Sequence, residues 1–134
     1  MIKHPKIRNA VLDALKLSVT APSVTWYDGR PSFLTAEDLP AVAVYLSGAE
    51  PTGETLDEDE WRATLHVEVF LKAVSPDTEL DRWMEQHIYP VVGDIPALSD
   101  LIENITPEGY DYQRDDEMST WGSADLRYTL TYLM

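Results

Sequence analysis

WRATLHVEVFLKA, residues 61–73, sets Trp61, Ala63, Leu65, Val67, Val69 and Leu71 on one parity and Arg62, Thr64, His66 and Glu68 on the other. Successive side chains of a strand point to opposite faces, so this period of two predicts a strand with one face turned to a core. It is the longest strand expected in the chain. Upstream, PAVAVYLSG, residues 40–48, is apolar at six consecutive positions from Ala41 to Leu46, the pattern of a strand covered on both faces and therefore central in a sheet. Downstream, ADLRYTLTYLM alternates Leu126, Tyr128, Leu130 and Tyr132 with Arg127, Thr129 and Thr131, and GYDYQR, residues 109–114, alternates aromatic and polar. A short β-prone run in VTWYDGRP ends at the turn signal Asp28-Gly29.

Three helices are expected around these strands. Over residues 5–17, Ile7, Val11, Leu12 and Leu15 fall on one face, and Pro5 suits a first turn. Ser75-Pro76 forms an N-cap and first-turn pair, with Asp77 and Glu79 where the helix dipole favours negative charge. Leu80, Trp83, Met84, His87 and Ile88 carry that helix to about Tyr89-Pro90. Leu98, Leu101, Ile102 and Ile105 have the i, i+3, i+4, i+7 spacing of a third helix, from about Pro96 to Ile105, with Pro107 as its stop. The predicted order α, β, β, β, α, α, β, β describes an α+β fold: a mixed or antiparallel sheet of about five strands with three helices packed mainly on one face. The short joints, with no repeat and no linker, describe a single domain spanning 1–134.

Charge narrows the function classes. Ten Lys and Arg stand against 24 Asp and Glu, a net charge of −14 with a pI near 4.3. Such a surface repels phosphate backbones and anionic lipids, and copies of the chain repel one another unless cations or charge pairs intervene. There is no cysteine, which excludes disulfides, thiolate metal sites and thiol nucleophiles. No apolar run approaches the roughly 18 residues of a membrane span, and the N-terminus has no signal-type apolar region.

No motif makes a positive case for catalysis: there is no Gly-rich phosphate loop, no G-x-S-x-G and no H-E-x-x-H. The acidic loop Asp57–Glu60 fails the EF-hand pattern, because Trp61 and Arg62 stand where an oxygen ligand and a glycine are needed. His66 and Glu68 share a strand face and could reach one ion, but two ligands are not a site, and a third would have to come from a segment such as that of His87. The simpler expectation is a polar sheet face covered by a neighbour. Asp77 fits a helix-dipole role, and as an exposed acid it could also meet a basic group or cation at a subunit boundary. Arg114, Asp115, Asp116 and Glu117 fall where the chain turns between two strands. Like charges cost little at a solvated tip, and such a tip can also meet an opposite patch on another protein, where charge sets register and on-rate.

Taken together, YDGRP, LPAVAVYLSGAEPTGE, LHVEVFL, IYPVVGDIPALSDLI, GYDYQRDDE and SADLRYTLTYLM resemble, in order and almost end to end, the tail terminator (minor tail protein U) family of lambda-like long-tailed phages. The resemblance implies a structural virion protein at the head-proximal end of the phage tail, made in the host cytoplasm. It implies a hexameric ring that caps the tail tube, ends its polymerisation and offers a surface for head-tail joining. The implied partners are five further copies of the chain, the major tail tube protein and a head-completion or connector protein, with neither nucleic-acid specificity nor membrane. No cofactor is required; a divalent cation such as magnesium is expected to promote oligomerisation by screening the −14 on each copy. Under this resemblance Arg30 and Asp77 are the candidates for subunit contacts, and Arg114, Asp115 and Asp116 for a ring or partner surface. The competing classes are another head-tail connector or tail tube subunit, an acidic DNA mimic, and an enzyme of paired carboxylates. The acids are spread from Asp13 to Asp125 rather than gathered on one segment, which counts against the DNA mimic.

Overall fold

Helix α1 (Lys3–Ser18) is followed by strands β1 (Thr25–Asp28), β2 (Ala41–Pro51) and β3 (Glu60–Leu71). A second helix, α2, is α-helical over Pro76–Arg82, widens to a π-helical turn over Trp83–Ile88 and returns to α over Tyr89–Val92. A 3-10 turn, Pro96–Asp100, then leads to β4 (Asn104–Arg114) and β5 (Gly122–Leu133). This computed structural model describes residues 3–19, 24–31, 39–53, 59–72, 76–114 and 122–134.

The five strands form one mixed sheet in the order β1-β2-β3-β5-β4. β1 runs parallel to β2, and every other pairing is antiparallel. The alternating stretch read from sequence is β3, which pairs with β5 without a register break from Glu60↔Leu133 to Leu71↔Gly122. β3 turns its odd-numbered and β5 its even-numbered residues to the core, so Val67 faces the helices beside Leu126 and Leu65 beside Tyr128. In β2, Val42 and Val44 join the helix-side core while Ala41 and Ala43 pack with Phe70 on the other face, and all four are fully buried. A six-residue apolar run was the signature of that double burial.

The helices owe their positions to apolar stripes. Ile7, Val11, Leu12 and Leu15 of α1, and Leu80, Met84 and Ile88 of α2, all enter one cluster with the sheet. Burial of each such side chain contributes about 1.5–3 kcal/mol. The π-helical turn has a local cause. Pro90 has no N–H to return to the preceding turn, and one residue earlier the Tyr89 N–H bonds the Met84 carbonyl, five residues back. The widened turn keeps α2 continuous through the proline, to Val92 rather than ending at Tyr89-Pro90.

The third expected helix is not formed. Among the described residues there are two helices, and residues 96–105 divide into the 3-10 turn and the start of β4. Pairing with β5 captures the segment: the Glu103 N–H donates to the Thr131 carbonyl at 2.7 Å, and Ile105 opposes Leu130. Leu98 is buried, and Leu101, Ile102 and Ile105 pack against the core, so the apolar spacing served burial without serving a helix. Pro107 is not a helix stop but lies within β4, an edge strand, where a missing donor is tolerated. A register shift between Pro107 and Gly109 follows, and Gly109 takes φ +121°, a conformation L side chains rarely adopt.

Candidate functional site

The face of the sheet away from the helices carries the chain's buried polar chemistry. Period-two alternation puts His66 and Glu68 of β3 there, next to Ser123 and Asp125 of β5 and Tyr45 of β2. Glu68 is only 2% exposed. One of its carboxylate oxygens accepts from the Tyr45 hydroxyl at 2.7 Å and the other from Ser123 Oγ at 2.8 Å. A carboxylate taken out of water needs such donors on both oxygens. Burial, and then the bond to Glu68, push the Tyr45 phenol well above its ordinary value, so the hydroxyl stays a donor.

His66 continues the network. Its ring stacks on Tyr45 with centroids 4.5 Å apart, its Nδ1 lies 2.9 Å from Asp125, and its Nε2 lies 2.6 Å from Ser47 Oγ. Arg30 sits at the margin with its guanidinium 5.9 Å from the centre of the Tyr45 ring, within cation–π range. Outward from this centre lie the half-exposed pairs Arg62–Glu50 and Arg127–Asp111, at 3.0 and 2.7 Å. Exposed pairs of this kind contribute about 0–1 kcal/mol each, so they set the pattern of the surface more than its stability. The arrangement can hold a rigid, polar, charge-patterned face; its acids are occupied by hydroxyls and by a histidine.

The expected residues do not converge. Arg30 stands by the polar face, whereas Asp77 is half-buried in the first turn of α2, on the helix side. Arg114 is the last residue of β4, and Asp115 and Asp116 lie outside the described residues, as does most of the acidic loop before β3. His66 and Glu68 share a face as expected, but His87 belongs to α2 on the other side of the sheet, where its ring meets Trp83 edge-on. Among the described residues no three metal-ligating side chains gather. Sequence reasoning did not single out Tyr45, Ser123 and Asp125. Their signal is the cross-strand register, Tyr45↔His66 and Glu68↔Asp125, which a single sequence does not fix.

Comparison with known proteins places this architecture. Residues 2–132 match the family described as phage minor tail protein U. The tail tube terminator protein of Escherichia phage lambda is 59% identical over 133 residues, covering 99% of this chain and all of that protein. The tail tube terminator protein of Escherichia phage N15 is 53% identical over the same length and coverage. A chain in the solved virion of a native gene transfer agent particle shares the fold, with a TM-score of 0.53, 13% identity, and 96% and 95% of the two chains covered. The chain belongs to the phage minor tail protein U family and is a structural protein of the phage tail.

Proposed function

We propose that this chain is a tail tube terminator: six copies close into a ring on the finished tube, stop its growth and present a surface to a head-completion protein. The observation that carries the reading is the end-to-end identity with two proteins of that name, unbroken by any insertion large enough to add another activity. The polar face and the long edge strand β4 support it, since both are surfaces suited to neighbours rather than to a small substrate. A terminator works if one side of its ring complements the tube and the other does not, so that open-ended stacking stops after one layer.

Charge gives the assembly its expected chemistry. Six copies at −14 each repel one another, so ring closure should respond to salt and to magnesium. Arg30 and Asp77 remain the proposed subunit contacts, and Arg114, Asp115 and Asp116 the proposed partner surface. The nearest rival is a tail tube subunit or another connector. Adding the purified chain to polymerising tube protein of the same phage separates them. A terminator halts elongation and is seen by electron microscopy as one extra ring at one tube end, whereas a tube subunit lengthens tubes or polymerises by itself.

A further inference from the structure

Two helices cannot cover five strands. α1 packs on β1 and β2 and α2 on β3 and β5, while the edge strand β4 reaches α2 through the Tyr110 and Tyr112 hydroxyls, which donate to Asp81. The result is a groove of about 450 Å³ between the π-helical turn of α2 and β4, walled by Met84, Glu85 and Tyr89 on one side and Pro107 and Tyr110 on the other, with Leu126 as floor. Past Tyr89 it continues into a second basin of about 350 Å³ reached by Gly93, Asp94, Ile105 and Tyr128. Tyr128 is 2% exposed, and among the described residues its buried hydroxyl has no hydrogen-bond partner. With no partner of its own, that hydroxyl is a donor that an acceptor entering the groove would satisfy. Tyr89, half-exposed, stacks over Tyr128 at 6.4 Å.

The groove also has a sign. Among the described residues Glu85 and Asp94 line it, and no Lys or Arg does. α1 is basic: it holds Lys3, Lys6, Arg8 and Lys16, four of the ten Lys and Arg, against the single acid Asp13, and of the four Arg8 is paired with Asp28 of its own chain. Lys6 and Lys16 point to solvent, and beside Lys16 stands Leu17, 84% exposed. A helix end carries carbonyls with no intrahelical donor, which is the kind of acceptor the Tyr128 hydroxyl lacks.

We propose that the groove between α2 and β4 receives the C-terminal end of α1 from a second copy of this chain. Leu17 enters as the apolar anchor, Lys16 faces Glu85 and Asp94, and a last-turn carbonyl accepts from Tyr128. This rests on the ring reading above and names the surfaces that would build it. α1 lies over the β1 side of the sheet and the groove lies at β4, the opposite edge. A contact joining opposite edges is head-to-tail, the class of contact that closes rings. It also answers the charge problem locally, by placing the basic helix of each copy on the acidic groove of the next.

The absence of native cysteine makes the test unambiguous. The double variant Leu17→Cys/Glu85→Cys, oxidised under conditions where light scattering shows rings, should give a ladder of covalent multimers ending at six on a non-reducing gel. Each single variant should stay uncrosslinked. Independently, Leu17→Glu should lower ring yield at least tenfold while leaving the melting temperature of the monomer unchanged. Rings that form normally in Leu17→Glu and give no ladder in the cysteine pair overturn the docking and leave the ring reading intact. A ladder that runs past six without closing supports the docking and removes the hexamer. Monomers with no ladder in any condition overturn both.

Discussion

Glu68 offers the sharpest perturbation. Its carboxylate is buried and accepts one hydroxyl on each oxygen, from Tyr45 and from Ser123. Hydrogen bonds to a charged acceptor contribute about 1.5–3 kcal/mol each, and Glu68→Ala removes two of them. Release of a desolvated carboxylate returns part of that loss, because burying an ion costs several kcal/mol even in a relaxed site. The net expectation is a destabilisation of about 2–4 kcal/mol, a fall of roughly 10 °C in melting temperature for a chain of this size. Glu68→Gln keeps one acceptor oxygen and supplies an amide donor toward which either hydroxyl can turn its lone pairs, so it should cost about 1 kcal/mol or less. Thermal and guanidinium unfolding followed by circular dichroism measure both. The reasoning is refuted if Glu68→Ala is as stable as the wild type, which would mean that desolvation had cancelled the two bonds.

Three further outcomes are expected. Burial raises the phenols of Tyr45 and Tyr128 well above the ordinary tyrosine value of 10.0, with the Glu68 bond a second cause for Tyr45. A proton held more tightly in the folded state means that stability is fully present below a pH of about 10 and is lost as pH rises toward the folded values. The guanidinium midpoint should therefore drop between pH 10 and pH 12, with phenolate absorbance from these rings appearing only on unfolding; a flat midpoint contradicts this. Gly109→Ala should cost about 1–3 kcal/mol, because φ is +121° there and a Cβ would touch nothing, so the cost is in the backbone alone. The same change at Gly93, where φ is −72°, should be close to neutral by the same unfolding assay. Asp77→Lys should reduce ring formation in native mass spectrometry without unfolding the monomer, and an unchanged ring would remove Asp77 from the subunit contacts.

How far the sequence could be read depended on where each signal resides. β3, β5 and the doubly buried start of β2 were legible because period-two alternation and continuous apolar runs are local properties that the sheet then uses directly. The stretch 96–105 was misread because its spacing fits helical burial equally well. What decides it lies about thirty residues away, in β5, whose Thr131 carbonyl takes the Glu103 N–H. The π-helical turn before Pro90 was visible only as an apparent helix stop. At the candidate site, the pairing of His66 and Glu68 on one face followed from parity. Their partners Tyr45, Ser123 and Asp125 come from two other strands, brought alongside by register. The groove beneath Tyr89 arises from the count of helices against strands, a property of the assembled layers rather than of any segment.

The central claim, a ring built from copies that repel one another, meets its most direct test in the solution mass by light scattering at low salt, with and without millimolar magnesium. The account predicts a 15.2 kDa monomer that becomes one discrete species of six times that mass when magnesium is added. Polymers growing without limit would contradict it and identify a tube subunit instead.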